Sequence, residues 1–258
     1  RLLYLGTPAI TLFVIAGPVG DPVNVTKLFL LGIIGTGLLF LLIFLRKTLF
    51  TKERALFSSS VISFIFFSLI ANFTSPAPFN LTFYGVNGRN TGFLAYFFFS
   101  IFALAGLALN RMENFKKLIY GFFFAGVVNV LYCLWAWQIG DFIPWNNPYG
   151  NILGTFGNPN FQSAFLGMIS VLLVPYILVS NLRVIYRVFG GVLLIGSLYG
   201  IELTNSIQGF FNFALGIAVM TFLYFKLKNR KVVSILILGM TVLGVAGVAA
   251  AFFKVGPL

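Results

Sequence analysis

The chain has 258 residues, of which 59% are hydrophobic and only 9% are charged, and 33 of them are phenylalanine. Soluble domains of this length are not built from such a composition. The formal net charge of +12 does not indicate nucleic-acid binding, because the basic residues lie in short segments between apolar runs. A single cysteine, Cys133, excludes a disulfide within the chain and a zinc cluster, and we expect neither a metal nor a cofactor.

Apolar runs of about 17 to 22 residues recur along the chain, and a helix of that length crosses a hydrocarbon core of roughly 30 Å. They predict nine transmembrane helices, at residues 2–16, 27–45, 55–71, 93–109, 118–139, 161–180, 188–201, 208–225 and 232–253. The predicted fold class is therefore all-α, a polytopic transmembrane helical bundle that forms a single transmembrane domain over residues 1–258. Because the chain starts at Arg1 and has no polar tail after Leu258, we expect it to be part of a longer protein.

Basic residues occur in every second predicted loop. Thirteen of the seventeen lysines and arginines fall on one side, namely Arg46, Lys47, Lys52, Arg54, Arg111, Lys116, Lys117, Arg183, Arg187, Lys226, Lys228, Arg230 and Lys231. The positive-inside rule makes that side cytoplasmic. We therefore expect a multi-pass protein of the cytoplasmic (inner) membrane, with a cytoplasmic N-terminus and an external end at Leu258.

The predicted external loops at residues 72–92 and 140–160 are long and rich in Asn, Pro, Gly and aromatic residues. Long loops of this kind need a reason to exist, so we expect any chemistry on the external face. Arg89 lies there, in the segment YGVNGRNTG that begins at Tyr84 and includes Gly88. Its guanidinium either binds a phosphate or diphosphate through bidentate hydrogen bonds or anchors the chain at the lipid headgroups.

The second external loop ends in Gly157, Asn158, Pro159 and Asn160, directly before the sixth predicted span. Amide side chains are good partners for sugar hydroxyls, so these residues are candidates for a glycan site. Asn160 or a neighbour is equally suited to cap the following helix, with the proline in the turn. Capping accounts for part of this loop but not for all of its amides.

The third external connection, ELTNSIQG at residues 202–209, brings a carboxylate, hydroxyls and amides close to the membrane boundary. Glu202 either acts as a general base or has a structural role in an ion pair with Arg89 or Lys254. Asn129 and Asn212 lie in the middle of predicted spans, where hydrogen bonding between helices is the common role of an amide.

Three segments resemble the external-loop signatures of the O-antigen ligase family, which includes O-antigen ligases, related polymerases and pilin-glycan ligases. The first motif is YGVNGRNTGFLAY at residues 84–96, the second is GTFGNPNFQSAFLG at residues 154–167, and the third is LTNSIQGF at residues 203–210. The third signature of the family more often has an arginine after the serine, where this chain has Ile207. That departure puts one cationic contact in doubt.

The resemblance implies a membrane-embedded, GT-C-like and metal-independent glycosyltransferase. Such an enzyme moves a glycan from an undecaprenyl diphosphate carrier to a lipid, glycan or protein acceptor on the external face, and whether it is a ligase or a polymerase stays open. Arg89 is the best match for a diphosphate contact, because the leaving group needs compensating charge. The substrate-binding residues expected from the three motifs are Tyr84, Gly88, Arg89, Gly157, Asn158, Pro159, Asn160, Ser206 and Gln208.

The family's general base is a histidine in a large external loop, and this chain has no histidine. The resemblance therefore implies one of two cases: the chain is truncated before that loop and is inactive alone, with its catalytic residue unknown, or it is a divergent relative that kept the scaffold and lost the chemistry. A non-catalytic membrane subunit or scaffold, or a transporter of lipids or solutes, is the alternative. Ion-coupled transport is disfavoured because the predicted spans have no ionisable residue near mid-membrane.

Overall fold

A computed structural model of the protein describes residues 1–15, 21–143, 147, 150–179 and 182–252. Over these residues the chain is helical and contains no strand. The helices are α1 (Leu2–Leu12), α2 (Asn24–Phe44), α3 (Arg46–Leu49), α4 (Ala55–Thr74), α5 (Phe79–Tyr84), α6 (Phe93–Leu107), α7 (Met112–Gln138), α8 (Pro159–Val179), α9 (Val184–Leu203), α10 (Gln208–Leu227) and α11 (Lys231–Phe252), with a 3₁₀ turn at Gly154–Phe156.

The described helices confirm a multi-pass helical membrane protein. Six of them, α2, α4, α7, α8, α9 and α10, are long and apolar enough to cross a membrane. Shorter apolar helical stretches are α1, α6 and the part Lys231–Val245 of α11, where three further spans were expected. The eleven residues of α1 extend only about 16 Å, roughly half of a hydrocarbon core. The count of nine spans stays a prediction.

Several predicted helix ends are wrong by a few residues. α7 begins at Met112, six residues before the predicted start, because Glu113 stabilises its first turn and pairs with Lys117 four residues later. α1 ends at Leu12, since the chain becomes extended at Phe13. Two short helices, α3 and α5, lie in segments predicted to be loops.

The described chain divides into two compact units, and the first contains residues 1–148 and 154–157. Its core lies where α2 meets α6, around Leu38, Leu42, Ile101 and Leu104. α4 and α5 pack beside α6, and α1 packs between α2 and α7. Arg54 and Asn110 line one polar cleft, so the basic segment after α2 and the start of α7 lie at the same end of this unit.

The second unit contains residues 149–153 and 158–258. α8 is its central helix and packs against both α9 and α10, while α11 packs against α10. Leu166, Ile169 and Leu173 of α8 are almost fully buried. α8 and α10 approach each other closely at Gly209, which has no side chain. A Cβ added there would lie only 2.4 Å from the Ser163 carbonyl oxygen. The prediction of a single transmembrane domain stays a prediction.

Candidate functional site

The first motif forms a closed loop between α5 and α6. Its neck consists of Gly85, which has φ of +88°, and Gly92. A Cβ added to Gly92 would lie 2.3 Å from the Gly85 amide nitrogen, so the backbones on the two sides of the neck are in direct contact. Only glycine fits such an approach. The glycines of this motif therefore fix where the loop tip lies.

The tip of this loop is tied to the start of α2. The Asn24 amide donates a 2.7 Å hydrogen bond to the Gly88 carbonyl and a second one, 3.1 Å long, to the Asp21 carboxylate. Asp21 is itself buried and accepts hydrogen bonds from the backbone amides of Val23 and Asn24. These bonds hold the loop tip in place without using the Arg89 side chain.

Arg89 is exposed at the tip, and its guanidinium makes no hydrogen bond or ion pair with the residues that the structure describes. Tyr84 is half exposed at the end of α5, with its ring edge-on to Phe83. The guanidinium is thus free to meet a ligand on a loop whose backbone is already ordered. The same geometry suits a headgroup anchor, and both interpretations of Arg89 remain.

The start of the second motif is a buried turn in the first unit. Gly157, with φ of +62°, donates a backbone hydrogen bond to the Gly154 carbonyl at 3.3 Å. The Thr155 hydroxyl lies 2.9 Å from Asn129 Oδ1 and 3.1 Å from the Thr11 carbonyl oxygen, and it donates to one of these at a time. Asn129 is completely buried. The sequence predicted a hydrogen bond between helices; the partner of Asn129 Oδ1 is instead the 3₁₀ turn of the second motif, and its Nδ2 donates within α7 to the Ala125 carbonyl.

Lys27 is a further basic residue at this turn. Its ammonium donates to the Ile10 carbonyl at 3.0 Å and to the Thr11 carbonyl, and it lies 5.0 Å from the centre of the Phe156 ring. Carbonyls at the end of α1 carry a partial negative charge, which favours a cation there. Lys27 therefore links α1, α2 and the second motif.

The rest of the second motif starts α8 in the second unit. Asn158 Oδ1 accepts a 2.9 Å hydrogen bond from the Asn160 backbone amide, and Pro159 is the first residue of the helix. This is the geometry of an N-cap followed by proline at the first helical position. The capping interpretation is confirmed, and the cap is Asn158.

Side chains of the second and third motifs bond to each other. The Ser206 hydroxyl donates to Asn160 Oδ1 at 2.8 Å. The Ser163 hydroxyl donates to the Ser206 carbonyl at 2.9 Å and accepts from the Gly209 amide at 2.8 Å. A Cβ on Gly167 would lie 2.4 Å from the Gly209 carbonyl oxygen, so the backbones also meet directly. Residues far apart in sequence thus form one polar junction where α8 and α10 begin.

Two other predicted site residues lie beside this junction without joining it. The Gln208 side chain is exposed, and only its backbone amide reaches the Ser206 hydroxyl, at 3.4 Å. Glu202 is exposed near the end of α9. Of its two predicted partners, Arg89 belongs to the other unit and Lys254 lies outside the described residues. The role of Glu202 stays a prediction.

Sequence reasoning did not identify Asn24, Lys27, Thr155 or Ser163 as parts of these sites. Lys27 had a signal, because it is a second basic residue on the predicted external side. The serine and the threonine lie within the second motif, but nothing singled them out in it, since single hydroxyls in helices and turns are common and their partners are distant in sequence. In comparisons with protein-family models, curated proteins and solved structures, nothing matches this chain.

Proposed function

We propose that this chain is the donor-binding, membrane-embedded part of a glycosyltransferase of the O-antigen ligase type. The reaction would transfer a glycan from a polyprenyl diphosphate to an acceptor on the external face of the cytoplasmic membrane. The observation that carries the proposal is the junction of the second and third motifs. There Asn160, Ser163 and Ser206 join segments that are 43 to 46 residues apart. Two of the three segments that carry the resemblance therefore share one polar site.

The role of Arg89 follows from what a diphosphate leaving group requires. Negative charge accumulates on the diphosphate as the glycosidic bond breaks, and a preorganised cation stabilises it. The guanidinium offers two parallel N–H donors, and its backbone is held by the Gly85–Gly92 neck and by Asn24. Little ordering is then needed when the donor binds, which supports Arg89 as the diphosphate contact.

The position of the Asn160 side chain supports a role for it in binding the glycan. Its Oδ1 is occupied by the Ser206 hydroxyl, so the orientation of the carboxamide is fixed. Its NH₂ group has no partner among the described residues, and the side chain is exposed. A fixed amide donor at the surface suits a sugar hydroxyl. Asn158 and Pro159 then act indirectly, by starting α8 at the residue that places Asn160.

The general base lies outside this proposal, because the chain has no histidine. What is proposed for these residues is binding and orientation of the polyprenyl-diphosphate donor, with no metal. A glycan-transfer assay would also depend on a general base, for which no residue is proposed. Donor binding is therefore the more direct test.

The experiment is a titration of the purified chain in detergent with undecaprenyl diphosphate. Arg89→Ala is expected to weaken binding by about ten- to a hundredfold, because a hydrogen-bonded charged contact contributes about 1.5–3 kcal/mol. Arg89→Lys should retain part of the affinity, since the charge remains but the bidentate geometry is lost. Arg111→Ala is the matched control, because Arg111 is another exposed arginine in a segment that connects two helices.

Two results would overturn the proposal. One is undecaprenyl diphosphate binding no more tightly than undecaprenol, which has the same chain without phosphate. The other is an equal effect of Arg89→Ala and Arg111→Ala. Either result would leave Arg89 as a headgroup anchor and favour the non-catalytic membrane subunit.

A further inference from the structure

An elongated apolar groove runs between α1 and α7 in the first unit. It has a volume of about 440 Å³ and passes Tyr4, Pro8 and Leu12 on α1 and Lys117, Gly121 and Phe124 on α7. Leu5 and Phe124 at its rim are 62% and 61% exposed, so the groove opens outward from the helices. In a membrane protein such a surface meets lipid.

The groove has the shape of a site for one acyl chain. From Lys117 to Phe124 the wall of α7 rises about 10 Å, and α1 itself is only about 16 Å long. Both lengths fit within one leaflet of the bilayer. The two helices touch at Gly121, where a Cβ would lie 2.7 Å from the Tyr4 carbonyl oxygen, and this contact forms the floor. An apolar groove left empty would lose its dispersion contacts on one side.

Among the described residues that line the groove, Lys117 is the only charged one. Its ammonium lies 6.0 Å from the centre of the Tyr4 ring and 2.5 Å from Glu113 Oε1. An ammonium has three N–H donors, so the ion pair with Glu113 leaves donors for a second anion. Lysine and tyrosine together are typical of the level of the lipid headgroups.

The end of the unit where Lys117 lies is strongly positive. The segment after α2 and the start of α7 meet there, as the shared cleft of Arg54 and Asn110 shows. The two segments carry seven basic and two acidic side chains, a net charge of +5, from Arg46, Lys47, Lys52, Glu53, Arg54, Arg111, Glu113, Lys116 and Lys117. Such a surface attracts the anionic lipids of a leaflet.

We propose that the α1–α7 groove is a binding site for an anionic phospholipid. One acyl chain lies against Pro8, Leu12 and Phe124, and the phosphate is held by Lys117. Neutral phospholipids share the acyl-chain contact but lack the net charge that the basic end favours. This proposal does not rest on the proposed glycan transfer: the phosphate contact at Lys117 lies twelve residues before Asn129 in α7, while the apolar end of the groove at Leu12 is next to Thr11, which contacts the second motif.

The test counts lipids bound to the purified chain by native mass spectrometry. Phosphatidylglycerol is compared with phosphatidylcholine of the same acyl chains, and we expect phosphatidylglycerol to bind at least fivefold more tightly. Lys117→Gln should remove this preference. Lys116→Gln is the matched control, because its side chain is an exposed lysine on the same helical turn but does not line the groove. It should retain the preference.

Two further variants separate the phosphate contact from the acyl-chain contact. Glu113→Gln removes the carboxylate that competes for Lys117, so it should raise the affinity for phosphatidylglycerol several-fold. Ala9→Phe places a ring in the groove and should weaken both lipids. Ala103→Phe fills a comparable groove between α4 and α6 that has no charged lining residue, and it should change neither affinity.

Equal binding of the two lipids by the unaltered chain would overturn the proposal. Equal effects of Lys116→Gln and Lys117→Gln would overturn it as well, because they would indicate a diffuse basic surface. If Lys117→Gln does not give a monodisperse protein, the decision rests on Glu113→Gln. An unchanged affinity for phosphatidylglycerol in that variant would also reject Lys117 as the phosphate contact.

Discussion

In the loop of residues 85–92, the Arg89 guanidinium is exposed and has no partner among the described residues, whereas in the turn of residues 154–157 the Thr155 hydroxyl is buried against Asn129. Both segments begin and end with a glycine. In the first segment, backbone contacts hold the loop in place, and the Arg89 side chain is left to contact a ligand. In the second segment, the hydrogen bond of the Thr155 side chain itself holds the turn in place. A polar loop beside a membrane can therefore present groups to a ligand or build the scaffold, and only its partners distinguish the two uses.

The junction of the second and third motifs combines both uses. Ser163 and Gly209 are buried and hold α8 and α10 together, while Asn160 is exposed and has only its carbonyl oxygen engaged. The hydrogen bonds that build the helix crossing also orient the amide at the surface. Single substitutions should therefore affect either the stability of the helix crossing or the exposed amide that contacts a ligand, and not both equally.

The largest expected effect is on the stability of this crossing. In Gly209→Ala the new Cβ would lie 2.4 Å from the Ser163 carbonyl oxygen and 2.5 Å from its hydroxyl, so α8 and α10 must move apart. Overpacking of this kind costs about 1–3 kcal/mol. We expect the melting temperature in detergent to fall by roughly 4–8 °C, measured by circular dichroism.

Gly191→Ala is the control for this change. Gly191 lies in α9 of the same unit, and a Cβ there meets nothing within 4 Å. Its replacement should leave the melting temperature unchanged or raise it slightly, because alanine favours a helix more than glycine does. Equal losses in both variants would show that the close approach of α8 and α10 is unimportant for stability.

The next effect, of about 1–3 kcal/mol, is expected at the buried turn. Asn129→Ala removes the acceptor of the Thr155 amide and hydroxyl, and the 154–157 turn loses its bond to α7. Thermal unfolding should begin at a lower temperature, and proteolysis within the turn should become faster.

Asn212→Ala provides the comparison, since Asn212 is also a mid-span asparagine. It is only half-buried in α10 and makes no hydrogen bond with the described residues. Its replacement should shift the melting temperature by less than about 1–2 °C. If the two asparagines prove equivalent, the Asn129–Thr155 bond does not hold the turn.

The sequence alone predicted the helical membrane class and the approximate positions of the long helices, because apolar runs of sufficient length have few other solutions. It also predicted that the Asn-Pro-Asn segment caps a helix and that Asn129 bonds between helices, and of these two the cap is found. It did not reveal that Asn129 pairs with Thr155, or that Ser163 contacts Gly209. Such pairs depend on which helix faces cross, and hydrophobic periodicity is weak in helices that are apolar on every side.

The smallest expected effect on stability is that of Arg89→Ala, and it sharpens the contrast between the two loops. The Gly88 carbonyl, bonded to Asn24, and the Gly85–Gly92 neck hold the loop without the guanidinium. The melting temperature should therefore stay within about 1–2 °C of that of the unaltered chain, even where the affinity for undecaprenyl diphosphate falls. Asn24→Ala should have the opposite effect, because it removes the hydrogen bond to the loop tip and keeps the Arg89 guanidinium. Protease cleavage within residues 85–92 should then become faster. A large loss of stability in Arg89→Ala would mean that the arginine belongs to the scaffold, and the first motif would then be used in the same way as the 154–157 turn.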